Sequence, residues 1–336
     1  MPRRYRFLHV GLGPLGVRIA DDVVRRGLGD VVAAVDPALA GRPLNEIVVG
    51  AAAGVVVAAG LDEVSSPIDV AVVATVSDLP GCAPTLRALL ARGVPIVSTC
   101  EELSWAWDRH PALAAELDAL ARAHGVPLLG TGVNPGFVMD ALPVSVTTVC
   151  RELRAVAIHR IQDASLRRIP FQQKIGATLT VAEFGRRVSA GTVRHVGLYE
   201  SAGMIARTLG LPFESYDESI APVVADTAMT CGLGEIAVGD VRGVHQEARV
   251  TAGGRDVITL VFRAAIGEPS PRDRVIVDGD PRIDLTIDGG VHGDVATSAV
   301  ALNTIVGLLD HGEGRGGSPG LHAMARVPLF GCAPPR

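Results

Sequence analysis

Cysteine is sparse and unpatterned: five residues in 336, at Cys82, Cys100, Cys150, Cys231 and Cys332, with no C-x-x-C pair. An odd, scattered set excludes a disulfide framework or a zinc site, so no metal is expected, and it suits a reducing cytosol. A basic excess is also missing. The 31 Lys+Arg against 36 Asp+Glu leave a formal net charge of -5, which counts against nucleic acid as a partner. No apolar run is long enough to cross a bilayer. The longest, residues 47–61, is broken by Gly50, Gly54 and Gly60, falls short of the roughly 18 residues a span needs, and reads as buried core. Arg3, Arg4 and Arg6 precede an apolar stretch that reaches Asp21 without a cleavage pattern, so no targeting segment is expected. No internal repeat shows at periods of roughly 20–50 residues. These absences predict a soluble, cytoplasmic protein with no membrane or nucleic-acid partner.

Apolar residues make up 48% of the chain and charged residues 20%, enough to build cores, and the length predicts two domains. Over residues 1–140, β-branched runs at 5–10, 31–35, 70–75, 95–99 and 126–130 alternate with helical patterns at 14–26, 84–92 and 111–124. The first helix is expected to bury Val17, Ala20, Val23 and Val24. Near-continuous apolar strands between helices imply a parallel sheet covered on both faces. Over 141–290 the strand signals, at 153–162, 248–251, 257–265 and 282–287, no longer alternate with the helices at 179–189 and 201–209. That predicts an α+β domain with a mostly antiparallel sheet. Residues 291–336 hold a returning helix, 294–309, with Asp294 as its N-cap, and a glycine-rich tail, 312–320, expected to be mobile.

Gly11-Leu12-Gly13-Pro14-Leu15-Gly16 follows the first strand and opens the first helix. Gly11 suits a tight turn, Gly13 lets the backbone approach a pyrophosphate, and Gly16 allows close helix–strand packing. Asp36 follows the second strand, placed to accept from a ribose 2′-hydroxyl. Together these predict an N-terminal Rossmann domain. Asp36 favours NAD by repelling a 2′-phosphate, while Arg42 keeps NADP open. Further loops at strand ends are candidates for the nicotinamide crevice. Thr75 and Asn134 are candidates to hold the carboxamide, with Pro135 and Gly136 beside Asn134. Ser77 either lines the crevice or caps a helix; Cys100 either lines it or fills space as a small buried residue.

The glycine fingerprint, Thr99-Cys100-Glu101-Glu102-Leu103 and Gly130-Thr131-Gly132-Val133-Asn134-Pro135-Gly136-Phe137 resemble 2,4-diaminopentanoate dehydrogenases and the NAD(P)-dependent amine dehydrogenases related to them. The resemblance continues through Asp163-Ala164-Ser165, Lys174-Ile175-Gly176, Gly293-Asp294-x-x-Thr297 and Gly320-Leu321-His322-x-Met324. The wider superfamily resembles that of dihydrodipicolinate reductase, which implies a Rossmann domain followed by an α+β domain for substrate and dimer contacts. That reductase's His-His segment and Pro-Ser-Gly-Thr run are absent; the nearest stretch, Gln162-Asp163-Ala164-Ser165-Leu166-Arg167, has neither.

The resemblance implies reductive amination of a ketone or aldehyde with ammonia, and the reverse oxidation of an amine, with a catalytic glutamate after the fourth strand. The matching positions are Glu101 and Glu102, with Glu101 favoured; both could instead simply begin a helix. A carboxylate suits this chemistry because ammonia must lose a proton before it attacks and the carbinolamine must shed water. His159 and Arg160, Arg167 and Arg168, and Lys174 are candidates to meet a substrate carboxylate, as a diamino acid would require. His195 and His292 are further candidates. Phe137, Met139, Trp105 and Trp107 either shape an apolar substrate pocket or pack the core. Alternatives to an amine dehydrogenase are a 2,4-diaminopentanoate dehydrogenase, a C=O or C=N reductase that uses no ammonia, and a dinucleotide-binding redox sensor without chemistry. A homodimer is implied by the same resemblance.

Overall fold

The computed structural model describes residues 4–310 and 318–326; Arg3, Cys332 and tail residues 312–317 lie outside them. The chain divides into two compact units, Met1–Phe137 with His292–Arg336, and Val138–Val291.

The first unit is built on a parallel sheet. Its strands are β1 (Tyr5–Val10), β2 (Gly29–Val35), β3 (Val57–Ala58), β4 (Val70–Val73), β5 (Ile96–Ser98), β6 (Pro127–Gly130) and, late in the chain, Gly320–His322. From that late strand inward the order is β6, β5, β4, β1, β2, β3, every neighbouring pair parallel. β4 and β5 are buried along their whole length, because helices cover both faces of such a sheet. This is the doubly wound Rossmann arrangement. The order reverses between β1 and β4, which places the crevice at the carboxyl ends of those strands.

Three local expectations change. The first helix, Pro14–Arg25, buries Gly16, Ile19, Ala20, Asp22 and Val23; Val17 and Val24 only flank that face, because Gly16 must meet the turn before it. Asp22 is buried among these, accepting hydrogen bonds from Arg25 and from Ser298 of the last helix. The second helix, Leu79–Ala91, begins five residues before the expected start: Asp78 caps it by accepting from the Gly81 N–H at 2.7 Å, and Pro84 lies inside. Segment 47–61 is not continuous core. Gly50 and Gly54 turn the chain at φ 78° and 90°, so Val48 and Val57 are buried while Val49 is 80% exposed.

The second unit carries a six-stranded sheet of β7 (Glu152–Asp163), β8 (Ser215–Val224), β11 (Val241–Ala252), β12 (Arg255–Ala265), β13 (Arg272–Asp280) and β14 (Ile283–Asp288), with a small hairpin of β9 (Met229–Cys231) and β10 (Gly234–Ile236). The order is β14-β13-β7-β12-β11-β8, antiparallel except for β7 beside β12. β8 and β13, absent from the sequence reading, alternate charged or small outward residues with inward ones. Register aligns Asp273, Arg160, Phe262 and Gln246 in one row across four strands, all buried on the inner face.

The last helix begins at Gly293, so Asp294 lies in its first turn rather than at its cap. Instead His292 precedes it, its Nδ1 3.5 Å from the Val295 N–H. Among the described residues no helix is long and apolar enough to cross a membrane.

Candidate active site

The glycine turn closes the gap between β1 and its helix. Gly11 sits at φ 91°, and a Cβ there would stand 2.4 Å from the Ala74 carbonyl oxygen at the end of β4; one on Gly16 would stand 2.0 Å from the Gly11 oxygen. Only glycine permits either approach. A Cβ on Gly13 would meet nothing within 4 Å, so that stretch of backbone is bare on its outer side. Leu12 is buried while Pro14 is exposed and Leu15 half-buried. Asp36 ends β2 facing this turn. Its Oδ2 accepts from the Leu12 N–H at 2.8 Å and its Oδ1 from the Ala38 N–H at 3.0 Å, which fixes the carboxylate beside the glycines. Arg42 forms an exposed ion pair with Glu46 at 3.6 Å.

The loops after β4 and β5 are tied together. Thr75 is exposed and Ser77 half-buried; the helix cap is Asp78, not Ser77. The Ser77 carbonyl accepts from the Cys100 thiol and from the Glu102 N–H, each at 3.2 Å. Glu101 and Glu102 begin a 3-10 helix, Glu101–Trp105, as the alternative reading of this pair allowed. That helix packs against β6 at Gly130, where a Cβ would come within 2.5 Å of the Leu103 backbone. The Ser104 hydroxyl donates to the Glu101 carbonyl at 2.6 Å. Glu102 Oε2 accepts from the Leu79 N–H at 2.9 Å and meets His110 Nε2 at 2.8 Å, and Arg109 lies 3.9 Å from Oε1. Cys100 and Cys82 are both buried. A hydrogen bond with Cys82 and then burial push the Cys100 thiol far up, so it stays protonated and does not act as a nucleophile.

Asn134, Pro135 and Gly136 lie buried after β6, in a turn with a cis Asn134–Pro135 bond. A Cβ on Gly136 would stand 2.4 Å from the Gly132 nitrogen, and Val133 N–H reaches the Thr297 hydroxyl at 3.3 Å. The carboxyl ends of β1, β2, β4, β5 and β6 thus carry Gly11–Gly16, Asp36, Thr75, Ser77, Cys100–Glu102 and Asn134–Gly136 in one unit. Trp105 and Trp107 pack on each other at 4.9 Å in the same unit.

Phe137 ends that segment of the first unit half-buried, whereas Met139, His159 and Arg160 belong to the second. Met139 is 0% exposed and presents no surface. His159 and Arg160 are neighbours on β7 and face opposite sides of the sheet, as the pleat requires. His159 shares the outer face with Arg272 and Arg274; burial and then these charges lower its pKa. Arg160 points inward onto Asp273 at 3.3 Å and the Val291 carbonyl at 3.2 Å. Burial lowers its pKa to about 10, which still leaves it charged at neutral pH. Beside it, Arg167 donates to Gln162 Oε1 at 2.9 Å and lies over the Phe171 ring. His195 stacks on Phe262 at 4.3 Å, its backbone held on both sides by Gln246. Burial holds His195 well below its usual pKa, followed by Lys174, Arg160, Arg194 and Arg167.

Several residues here escaped the sequence reading: His110, Asp78, Gln246 and His9. His9 lies in β1 at 0% exposure, with neither ring nitrogen hydrogen-bonded. Its signal was available, a histidine set among the apolar Phe7, Leu8 and Val10 two residues before the glycine turn. His110 and Gln246 gave none.

Residues 137–333, more than half of the chain, match the family model of the 2,4-diaminopentanoate dehydrogenase C-terminal domain. The chain belongs to this family. It is 28% identical to the 2,4-diaminopentanoate dehydrogenase of Acetoanaerobium sticklandii, covering 97% of this chain and 94% of that one. An amine dehydrogenase of Streptomyces virginiae is 27% identical over 66% of this chain and 64% of its own length. The solved amine dehydrogenase of Mycobacterium smegmatis shares the fold, with a TM-score of 0.84 over 98% of both chains at 23% identity. The 2,4-diaminopentanoate dehydrogenase match spans the whole second unit, where the sequence signal for strands was weakest.

Proposed function

We propose that the protein is an NAD(P)-dependent amine dehydrogenase, which forms an amine from a ketone or aldehyde and ammonia and oxidises it in reverse. The observation that carries this reading is an acidic 3-10 turn, Glu101–Trp105, at the end of β5, two strands from the glycine turn after β1. Membership of the 2,4-diaminopentanoate dehydrogenase family supports it.

The residues present fit a dinucleotide. The bare backbone at Gly13 leaves room for a pyrophosphate at a helix N-terminus. Asp36, already fixed by two backbone N–H groups, keeps acceptor capacity for a ribose hydroxyl. That charge favours NAD, and Arg42 would have to leave Glu46 to meet the 2′-phosphate of NADP. Thr75, Ser77, Cys100, Asn134, Pro135 and Gly136 surround the nicotinamide end in this reading. A bound nicotinamide supplies the hydride. Glu101 takes a proton from ammonium, returns it to the departing hydroxyl of the carbinolamine, and keeps negative charge near the cationic carbon. Phe137 contributes to the substrate pocket. A cytoplasmic homodimer completes the reading, on the family resemblance and on a free-thiol set suited to a reducing compartment.

One observation favours a second reading, a 2,4-diaminopentanoate dehydrogenase. Lys174, the chain's single lysine, stands with Arg160, Arg194 and Arg167 around the neutral His195. Such a neighbourhood suits a substrate carboxylate.

The test follows NADH oxidation with a panel of ketones and amino-ketoacids, with and without ammonium. Turnover that requires ammonium is expected, and E101Q should lose it while still binding NADH. Turnover indifferent to ammonium refutes the reading. Preference for carboxylate-bearing substrates selects the second one.

A further inference from the structure

Two acidic residues share the loop after β5, and their surroundings differ. The Glu102 side chain is 13% exposed and has three partners from two segments. Leu79 N–H belongs to the first turn of the helix after β4, while Arg109 and His110 precede the helix Pro111–Ala123. Oε2 thus meets both the Leu79 N–H and His110 Nε2. The Glu102 backbone adds a fourth tie through Ser77 O, the same oxygen that receives the Cys100 thiol. The loops after β4 and β5 are therefore braced into one body, with Glu102 at the crossing. A carboxylate so occupied is poorly suited to shuttling protons, since taking one up would turn an acceptor toward N–H donors into a donor.

We propose that Glu102 is a positioning residue: held by Leu79, His110 and Arg109, it sets where the neighbouring Glu101 carboxylate stands. This rests on the amine dehydrogenase reading, in which Glu101 carries the protons. A displacement of about 1 Å at a reacting group costs on the order of 100-fold in rate. The brace thus has a catalytic consequence although Glu102 touches no reactant.

The experiment compares wild type, E102A, E102Q and H110Q. E102A should lower kcat about 10- to 100-fold while leaving the KM for NADH and the acid limb of the kcat/KM pH profile in place. E102Q keeps an oxygen for the Leu79 N–H, so it should recover activity to within about fivefold of wild type; H110Q should fall between. A second readout does not need turnover: alkylation of the buried Cys100 by N-ethylmaleimide, located by peptide mass, should quicken by about tenfold or more in E102A as the loops part. An E102Q variant as inactive as E102A would make Glu102 itself the proton carrier and overturn the proposal. So would wild-type activity in E102A, or Cys100 labelling equal in E102A and wild type. Wild type without any ammonium-dependent turnover would instead remove the amine dehydrogenase reading, and the labelling would still decide the brace.

Discussion

His9 makes the first unit sensitive to acid. Its ring is enclosed in β1 beneath the glycine turn, where a Cβ on Gly16 would lie 3.5 Å from Cε1. Neither nitrogen has a hydrogen-bond partner. Burial lowers the pKa from 6.5 to about 4, and the Gly11 backbone offsets only a little of this without a well-formed hydrogen bond. The folded state therefore binds its proton later than the unfolded chain does. Stability is full above pH 6.5 and is lost as the pH falls through the window from 6.5 to about 4. That displacement corresponds to about 3 kcal/mol in total, of which about 2 kcal/mol is lost by pH 5.

His9→Leu isolates this effect. The leucine has similar bulk and no polar atoms, so at pH 7 it removes two unpartnered nitrogens, each costing on the order of 1 kcal/mol when buried. Shape mismatch returns about 1.5 kcal/mol at most. The variant should thus match or exceed wild type at pH 7 and lack the added acid slope. Urea unfolding followed by tryptophan fluorescence suits the purpose, because Trp105 and Trp107 are the chain's two tryptophans and both lie in the first unit. The stability difference between variant and wild type should grow by about 2 kcal/mol between pH 7 and pH 5. Parallel profiles would refute the reasoning, since they would mean that His9 gains its proton as readily folded as unfolded.

The glycine turn gives a paired contrast. Gly16→Ala, whose Cβ would overlap the Gly11 carbonyl at 2.0 Å, should lower the melting temperature and NADH affinity together; Gly13→Ala, with open space around its Cβ, should melt like wild type yet bind NADH about tenfold or more weakly. Normal NADH affinity in Gly13→Ala, measured by fluorescence titration, would place the pyrophosphate elsewhere. Asp36→Ser keeps a small acceptor for Leu12 and Ala38 while removing the charge, and should move the NADH:NADPH affinity ratio about tenfold toward NADPH. An unchanged ratio would remove Asp36 from the ribose.

The parallel sheet was legible because its strands are buried on both faces, and burial on both faces leaves unbroken apolar runs such as 70–73. The same logic misled at 47–61, where an equally apolar run is folded back by Gly50 and Gly54 and leaves Val49 in solvent. In the second unit the signal is weaker for a physical reason. β13 reads Arg-Asp-Arg-Val-Ile-Val-Asp-Gly-Asp, and its charges are satisfied across the strands, Arg274 by Asp284 at 2.6 Å and Asp278 by Arg154 at 2.8 Å. Such pairing is a property of register, which a linear pattern does not contain. Asp78 shows the same limit at a helix start: Pro84 looks like the opening residue until a cap six residues before the expected start is satisfied by a backbone N–H.

At the site, what could be read was the residue type each strand end carries; what could not was where each side chain's hydrogen bonds go. Glu101 and Glu102 are identical in type and adjacent, yet Glu102 is committed by Leu79, 23 residues earlier, and His110, eight residues later. Cys82, in the first turn and a half of the helix Leu79–Ala91, interacts with Cys100 across a gap closed by the Ser77 carbonyl that receives the Cys100 thiol. His159 and Arg160 differ from these, since two-residue alternation along a strand already assigns neighbours to opposite faces. Once β7 is granted, only one of them can face the row of Phe262 and Gln246. Arg160 takes that place, and its charge is balanced there by Asp273. An arginine held in this way adds positive potential around His195 more readily than it reaches out to a ligand. For the carboxylate-bearing substrate of the second reading, we therefore propose Lys174 and Arg167 ahead of Arg160, among the basic candidates the sequence had offered without ranking.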